Sequence, residues 1–300
     1  MSIPLDLART LAAVVDEGTL DAAARRLHIT PSAVSQRLRA LEDQLGRVVL
    51  VRSKPVRTTP AGDAVVRLAR QLALLEHDAL TAIGAEGGAV ASVPLAVNAD
   101  SLATWFLPPL ARVAARRPVV FDLHRDDQDF TAGLLETGAV MGAVTSRDVP
   151  VAGCRVRGLG ILRYEAVAAA GFAERWFADG VDAAALSAAP VVDFDRRDDL
   201  QSRWLSSRGV PASEPPRHRV PASQDFATAI ELGLGWGLLP GFQSTEGVRT
   251  GALVRLGGDP VDVPLFWQQW NLTSPLLDEV AEEVVAEGRR VLSPGGVSRR

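Results

Sequence analysis

The sequence is poor in several chemistries that would otherwise compete to explain it. Its single cysteine, Cys154, permits no internal disulfide and no cysteine-based metal cluster. It reads as a structural thiol and not as a redox sensor. No apolar run reaches the ~18 residues of a membrane helix. The longest stretch, Leu159 to Gly171, is broken by Arg163 and Glu165. The opening residues, Met1-Ser2-Ile3-Pro4-Leu5-Asp6, lack the basic-then-apolar pattern of a secretory signal. A cytoplasmic protein without membrane partners is expected. Catalytic signatures are missing too: no Gly-x-Ser-x-Gly turn, no Walker loop and no His-x-x-x-His pair. The four histidines, His28, His77, His124 and His218, are isolated from one another. No enzyme, no bound metal and no cofactor are expected. Lysine is almost absent as well, with Lys54 the only one among 32 basic residues. That bias reads as genome composition, not as chemistry.

What is present is an ordinary globular balance, with 47% apolar and 23% charged residues, which excludes a disordered or collagen-like chain. At ~150 residues per domain, a chain of 300 residues should form two or three domains. The net charge of −4 seems wrong for a nucleic-acid binder, but it sums unlike parts. Residues 1–85 carry +2 and the remainder −6, while residues 19–59 alone hold 8 basic and 3 acidic side chains. A basic DNA-binding head on an acidic body is expected from that asymmetry.

Local patterning agrees. Leu5, Leu7, Leu11, Val14 and Val15 recur at helical spacing until Glu17-Gly18. Thr19 can cap a second helix and Thr30 a third, with Pro31 in the first helical position and Gly46 past the end. Val48 to Val51 and Val56 to Thr58 read as short strands around a basic turn. Three helices and a two-stranded ribbon describe an all-α winged helix-turn-helix over residues 1–58. A linker helix follows within residues 59–91. Val65, Leu68, Leu72, Leu75, Ala79 and Ile83 form a narrow seam suited to pairing with another helix. Gly84 to Gly88 reads as a hinge. From Ser92 onward, strand candidates alternate with helices, which indicates an α/β body with largely parallel sheets. The body has no strict repeat but reads as two similar halves, one from near Ser92 and one from near Arg163.

The third helix has the chemistry of a DNA-reading element. Ser32, Ala33, Ser35 and Gln36 are small or polar at its start, and Arg37 and Arg39 can pair with guanine or phosphate. Arg52, Lys54 and Arg57 follow on the ribbon, where a wing would meet the backbone.

These residues carry a resemblance. Ala22 to Glu42, with Leu45-Gly46, Arg52 and the Thr59-Pro60-Ala61-Gly62 helix entry, resembles the N-terminal domain of LysR-type transcriptional regulators. Leu50-Val51-Arg52 departs from the Leu-Phe-x-Arg of many members but keeps an apolar wing residue. Gly233-Leu234-Gly235 through Pro240 is similar to a Gly-x-Gly-x-x-x-x-Pro segment of the same family. A dinucleotide loop is disfavoured there, because the glycines follow a helix and enter a strand. Leu95 to Pro108, Gly142 to Ser146, Pro190 to Asp195 and the stretch around Cys154 resemble the ArgP/LysG branch. The resemblance implies a two-lobed, periplasmic-binding-protein-like effector domain over residues 92–300. Lobe I would comprise 92–162 and 267–300, and lobe II 163–266. It implies a homodimer or homotetramer on double-stranded promoter DNA, with RNA polymerase as a further candidate partner. The effector would be lysine or arginine, and the target a gene for an amino acid exporter. Some relatives suggest an alternative, a ligand-independent nucleoid-binding inhibitor of chromosome replication initiation.

The effector site can also be argued from strand ends, where α/β folds bind ligands. Asn98, Asp100 and Ser101 follow the first strand of the body, and a helix opening at Ser101 would offer N–H groups to a carboxylate. Thr145 follows another strand, Asp193 and Asp195 a third, and Ser223 and Asp225 open a later helix. A desolvated lysine or arginine needs carboxylate partners, which these aspartates would supply. Trp105 and Trp267 suit core packing better than cleft lining. The run Asp195-Arg196-Arg197-Asp198-Asp199 reads as a solvated helix start.

Overall fold

The computed structural model describes residues 2–51, 53–84, 90–126 and 131–294. The head consists of α1 (Leu5–Glu17), α2 (Leu20–Arg26), α3 (Pro31–Leu45), β1 (Leu50–Val51) and β2 (Arg57–Thr58). Its boundaries are set by local chemistry. Gly18, at φ 71°, ends α1. The Thr19 hydroxyl accepts the Ala22 N–H at 3.2 Å, and the Thr30 hydroxyl accepts the Ala33 N–H at 3.1 Å. Gly46, at φ 64°, ends α3. Leu11, Val14, Ala23, Val34 and Leu41 are fully buried where the helices meet. Each Leu or Val buried there contributes about 1.5–3 kcal/mol relative to exposure.

The linker is α4 (Pro60–Ala82), whose entry is capped by the Thr59 hydroxyl on the Gly62 N–H at 3.1 Å. Gly62 must lack a side chain, because a Cβ there would lie 2.0 Å from the Val49 carbonyl oxygen. The expected seam divides. Val65 is buried with Val66 and Ala69 in the head core, and Leu74 is buried in the core of the body. Leu68, Leu72 and Leu75 are half-buried, and Ala79 and Ile83 are exposed. Much of the apolar surface of α4 is therefore spent within its own chain. Polar contacts fix the docking. Arg70 pairs with Asp16 of α1 and donates to the Gly138 carbonyl at 2.7 Å. Arg67 donates to the Glu136 carbonyl at 3.1 Å and lies over the Trp270 ring. Asp78 accepts the Ser274 hydroxyl at 2.5 Å.

The body opens with β3 (Ala91–Val97), α5 (Ala99–Thr104), α6 (Leu107–Ala114), β4 (Val119–Arg125), α7 (Thr131–Glu136) and β5 (Gly142–Thr145). A 16-residue strand, β6 (Cys154–Ala169), leads to α8 (Ala170–Trp176), α9 (Ala183–Ala188), β7 (Val191–Asp193), α10 (Leu200–Ser207) and β8 (Arg217–Arg219). Then come α11 (Ser223–Glu231), β9 (Gly237–Pro240), α12 (Gly241–Thr250), β10 (Leu253–Arg255), β11 (Val261–Trp270) and α13 (Pro275–Val291).

One sheet runs through both halves in the order β10-β6-β11-β5-β3-β4, with β9 also on β6. β3 is parallel to β4 and β5, and β7 is parallel to β8 in a small separate sheet. The expectation of largely parallel sheets fails at the centre. β6 and β11 are antiparallel from Tyr164↔Val261 to Cys154↔Trp270, with a bulge at Leu265/Phe266. The chain crosses from one lobe to the other along β6 and returns along β11, so the two must run in opposite directions. Trp105 and Trp267 are buried core residues, as their size suggested, and Phe106 contacts both rings. On the outer face, Arg112 of α6 and Arg116 and Arg117 just beyond its end form ion pairs with Glu279, Glu283 and Glu287 of α13.

Candidate functional site

Two surfaces qualify. On the head, Ser32, Gln36 and Arg39 of α3 and Lys54 and Arg57 of the ribbon are exposed. None of them has a hydrogen-bond or ion-pair partner among the described residues. Solvated cations with no internal partner are free to meet phosphate or base edges. Arg37 differs. It is half-buried and donates to the Thr10 hydroxyl of α1 at 3.3 Å, so it joins α3 to α1. The reason is helical phase, since position 37 lies three residues after buried Val34 and four before buried Leu41. Ala33 and Ser35 are half-buried, and Arg52 lies outside the described residues.

The second surface is a cavity of about 140 Å³ between the halves of the body. Its wall carries Asp100, Asp126, Asp195 and Asp198 against Arg125 and Arg197. Asp100, in the first turn of α5, accepts the Tyr164 hydroxyl at 2.6 Å and the Ser223 hydroxyl at 2.6 Å. Gln243 of α12 donates to the same Ser223 oxygen at 3.0 Å. One chain of hydrogen bonds thus joins α5, the crossing strand β6 and two helices of the second half. At the mouth, Arg197 donates to Asp126 at 3.1 Å, and the Arg125 guanidinium lies 5.9 Å from the centre of the Phe194 ring. Both contacts span the cleft. Asp195 accepts the backbone N–H groups of Arg197 at 2.7 Å and Asp198 at 3.1 Å. Burial alone would raise its carboxyl, but those N–H groups and the Arg197 guanidinium outweigh burial and hold it below the ordinary carboxylate range.

The sequence patterns of known families decide between readings of these two surfaces. Residues 5–63 match the bacterial regulatory helix-turn-helix proteins of the lysR family, and residues 87–289 match the LysR substrate binding domain. The chain belongs to the LysR family. It is 44% identical to the HTH-type transcriptional regulator LysG of Mycobacterium tuberculosis, over 92% of this chain and 90% of that one. It is 39% identical to the lysine export transcriptional regulatory protein LysG of Corynebacterium glutamicum, over 95% of this chain and 98% of that one. Among solved structures it resembles full-length LysG from Corynebacterium glutamicum with bound effector Arg. There the TM-score is 0.77 at 36% identity, covering 97% of this chain and all (100%) of the other. The fold is thus a LysR-type one, a helix-turn-helix head carrying a two-lobed effector-binding body.

For a LysR-family body, the cleft between lobes is the natural place to ask which expected residues meet. Asn98, Asp100 and Asp195 line the cavity, and Ser223 reaches it through Asp100. The other expected residues do not line this cavity. Asp193 is buried and bound to Arg217 at 2.6 Å, which neutralises it inside lobe II. Ser101 is fully buried off the cavity wall, since α5 opens at Ala99 and turns position 101 inward. Thr145 is buried at the end of β5, where its hydroxyl accepts the Arg147 N–H at 3.2 Å. Asp225 is exposed on α11. The run 195–199 leads into α10 with Asp199 at its N-cap and with Arg196, Arg197 and Asp199 exposed, but it also faces the cleft. Asp195, Arg197 and Asp198 build the mouth of the cleft, and α10 begins only at Leu200. Tyr164, Gln201 and Gln243 were missed. Gln201 alone carried a signal, as a polar residue on the same helical face as Trp204 and Leu205. Cys154 is half-buried, and its thiol is pushed up to about 11, mainly by burial and against the pull of Arg67. A thiol raised that far is the opposite of a redox-sensing thiolate.

Proposed function

We propose that this chain is a transcriptional regulator whose body binds a basic amino acid, lysine or arginine. The head, residues 1–58, binds promoter DNA, and the linker, 59–91, pairs with a second copy so that two heads act together. The body, 92–300, holds the effector between its lobes. Effector binding shifts the population of lobe arrangements, and with it the fit of the paired heads to DNA. The target gene encodes an amino acid exporter, and the protein works in the cytoplasm. Among the described residues no helix is long and apolar enough to cross a membrane.

The observation that carries this reading is the likeness to a LysG that holds Arg as effector, over 97% of this chain. The acidic excess at the cavity wall supports it, since among the described residues four carboxylates face two guanidiniums. Calorimetric titration of the full chain with L-lysine and with L-arginine is the test. Saturable binding of at least one is expected. No heat with either, at concentrations up to millimolar, would sink the reading.

A further inference from the structure

The proposed function leaves open which groups in the cleft receive the cationic end of the effector. Aspartates were the expectation from sequence, but each described one at the cavity is already engaged. Asp100 holds two hydroxyls, and Asp126 holds Arg197. Asp195 holds two backbone N–H groups, as does Asp198, from Phe194 at 3.2 Å and Leu200 at 3.0 Å. Among the described residues, two that line the cavity carry a buried side-chain oxygen without a partner, Asn98 Oδ1 and Gln201 Oε1. Both residues are 2% exposed. They come from opposite lobes, Asn98 from the end of β3 and Gln201 from α10. The Gln201 amide is oriented by its own nitrogen, which donates to the Val192 carbonyl at 3.1 Å and leaves Oε1 on the other side. A buried acceptor left unpaired costs about 1–3 kcal/mol, a cost that a ligand donor would relieve.

We infer that Asn98 and Gln201, and not the aspartates, determine effector specificity by accepting N–H donors from the effector's side chain. This rests on the reading that the effector is a basic amino acid. An ammonium offers three donors and a guanidinium five, all without acceptors, which suits a pair of amide oxygens. A side chain ending in a methyl group leaves both oxygens unpaired, and one ending in a carboxylate brings only further acceptors. Because each lobe contributes one amide, a donor shared between them also draws the lobes together. The engaged carboxylates supply a background field that favours cations, without direct contact.

Calorimetry on the full chain with arginine, citrulline, lysine and norleucine separates the alternatives. Citrulline keeps N–H donors at the end of the side chain but is neutral, and norleucine has neither donors nor charge there. Citrulline should bind within about tenfold of arginine and well above norleucine. Gln201→Met and Asn98→Ala should each weaken lysine and arginine by about tenfold or more and shrink the gap between lysine and norleucine. Asp195→Asn, which keeps the acceptor and removes the charge, should change lysine affinity by less than about threefold. Gln201→Met also frees the Val192 carbonyl, so Asn98→Ala from the other lobe is the independent variant. Thermal unfolding confirms that both fold. The inference is overturned if citrulline binds no better than norleucine, if both amide variants bind as wild type, or if Asp195→Asn abolishes binding. A wild-type chain that binds neither lysine nor arginine overturns the basic-amino-acid reading along with it. Wild-type binding with indifferent amide variants overturns this inference alone.

Discussion

The head and the cleft use the same polar chemistry in opposite ways. On the head, Arg39, Lys54 and Arg57 stand in solvent with no partner among the described residues. In the cleft, each described lining carboxylate is bound to a hydroxyl, a guanidinium or a backbone N–H before any ligand arrives. The difference follows from what each must recognise. A DNA backbone is large, charged and solvated, so exposed cations suffice. A small amino acid is desolvated on binding, so groups around it must be held in place beforehand. Removing a head cation should therefore cost binding and little stability, whereas removing a cleft-lobe ion should cost stability first.

The largest expected effect is on that second side. Asp193→Ala leaves Arg217 in lobe II without its carboxylate, with only 14% of its side chain exposed. A loss of about 3–5 kcal/mol is expected for a broken buried pair. Urea unfolding followed by circular dichroism should show the body destabilised and the head transition unmoved. Next comes Arg39→Ala, which should weaken promoter binding by about 1–3 kcal/mol if it meets a base, or lower the salt slope by about one if it meets phosphate. Fluorescence anisotropy across a salt series measures both, and calorimetry should show effector binding unchanged. Arg37→Ala sharpens the contrast within one helix. It should cost about 0.5–1.5 kcal/mol of head stability through the lost bond to Thr10, with the folded protein binding DNA as before.

How far these differences were legible in the sequence depends on chain distance. The head was readable because its signals are local. Thr19, Thr30, Gly18 and Gly46 each act within four residues of themselves, and they sit where the helices begin and end. The cleft was readable only in part, because Tyr164 meets Asp100 across 64 positions and Ser223 meets it across 123. Nothing nearby in sequence announces those partners. The strand β11 lay between these cases. Val261, Val263, Leu265 and Trp267 alternate as a strand should, but Pro264 argues against a central strand. The protein places that proline next to the bulge at Leu265/Phe266. The first half of β6 was hidden by Gly158, Gly160 and two arginines, Arg155 and Arg157.

The smallest effect lies outside both regions, on the ladder between α13 and the C-terminal end of α6 with the residues just after it. Hydrogen bonds from Arg117 and Arg116 hold Glu279 below the usual range. Arg112 and Arg116 do so for Glu283, as does Arg290, with Arg112, for Glu287. Depressed carboxyl values stabilise the fold above the unfolded pKa of ~4.3. That contribution is lost as pH falls through the lowered folded values. Thermal unfolding from pH 7 down to pH 3 should show the loss beginning near pH 4, and Glu283→Gln should flatten it while leaving both functional surfaces untouched.

The central claim is that an amino acid held in the cleft changes what the head does on DNA. Footprinting of the full chain on the promoter region upstream of its own gene, with and without lysine or arginine, tests it most directly. The account predicts a confined footprint whose extent or midpoint shifts with one of these amino acids and does not shift with norleucine. An identical pattern under every condition, spread over DNA with little sequence preference and a steep salt dependence, would contradict it and leave a ligand-independent nucleoid-binding protein in its place.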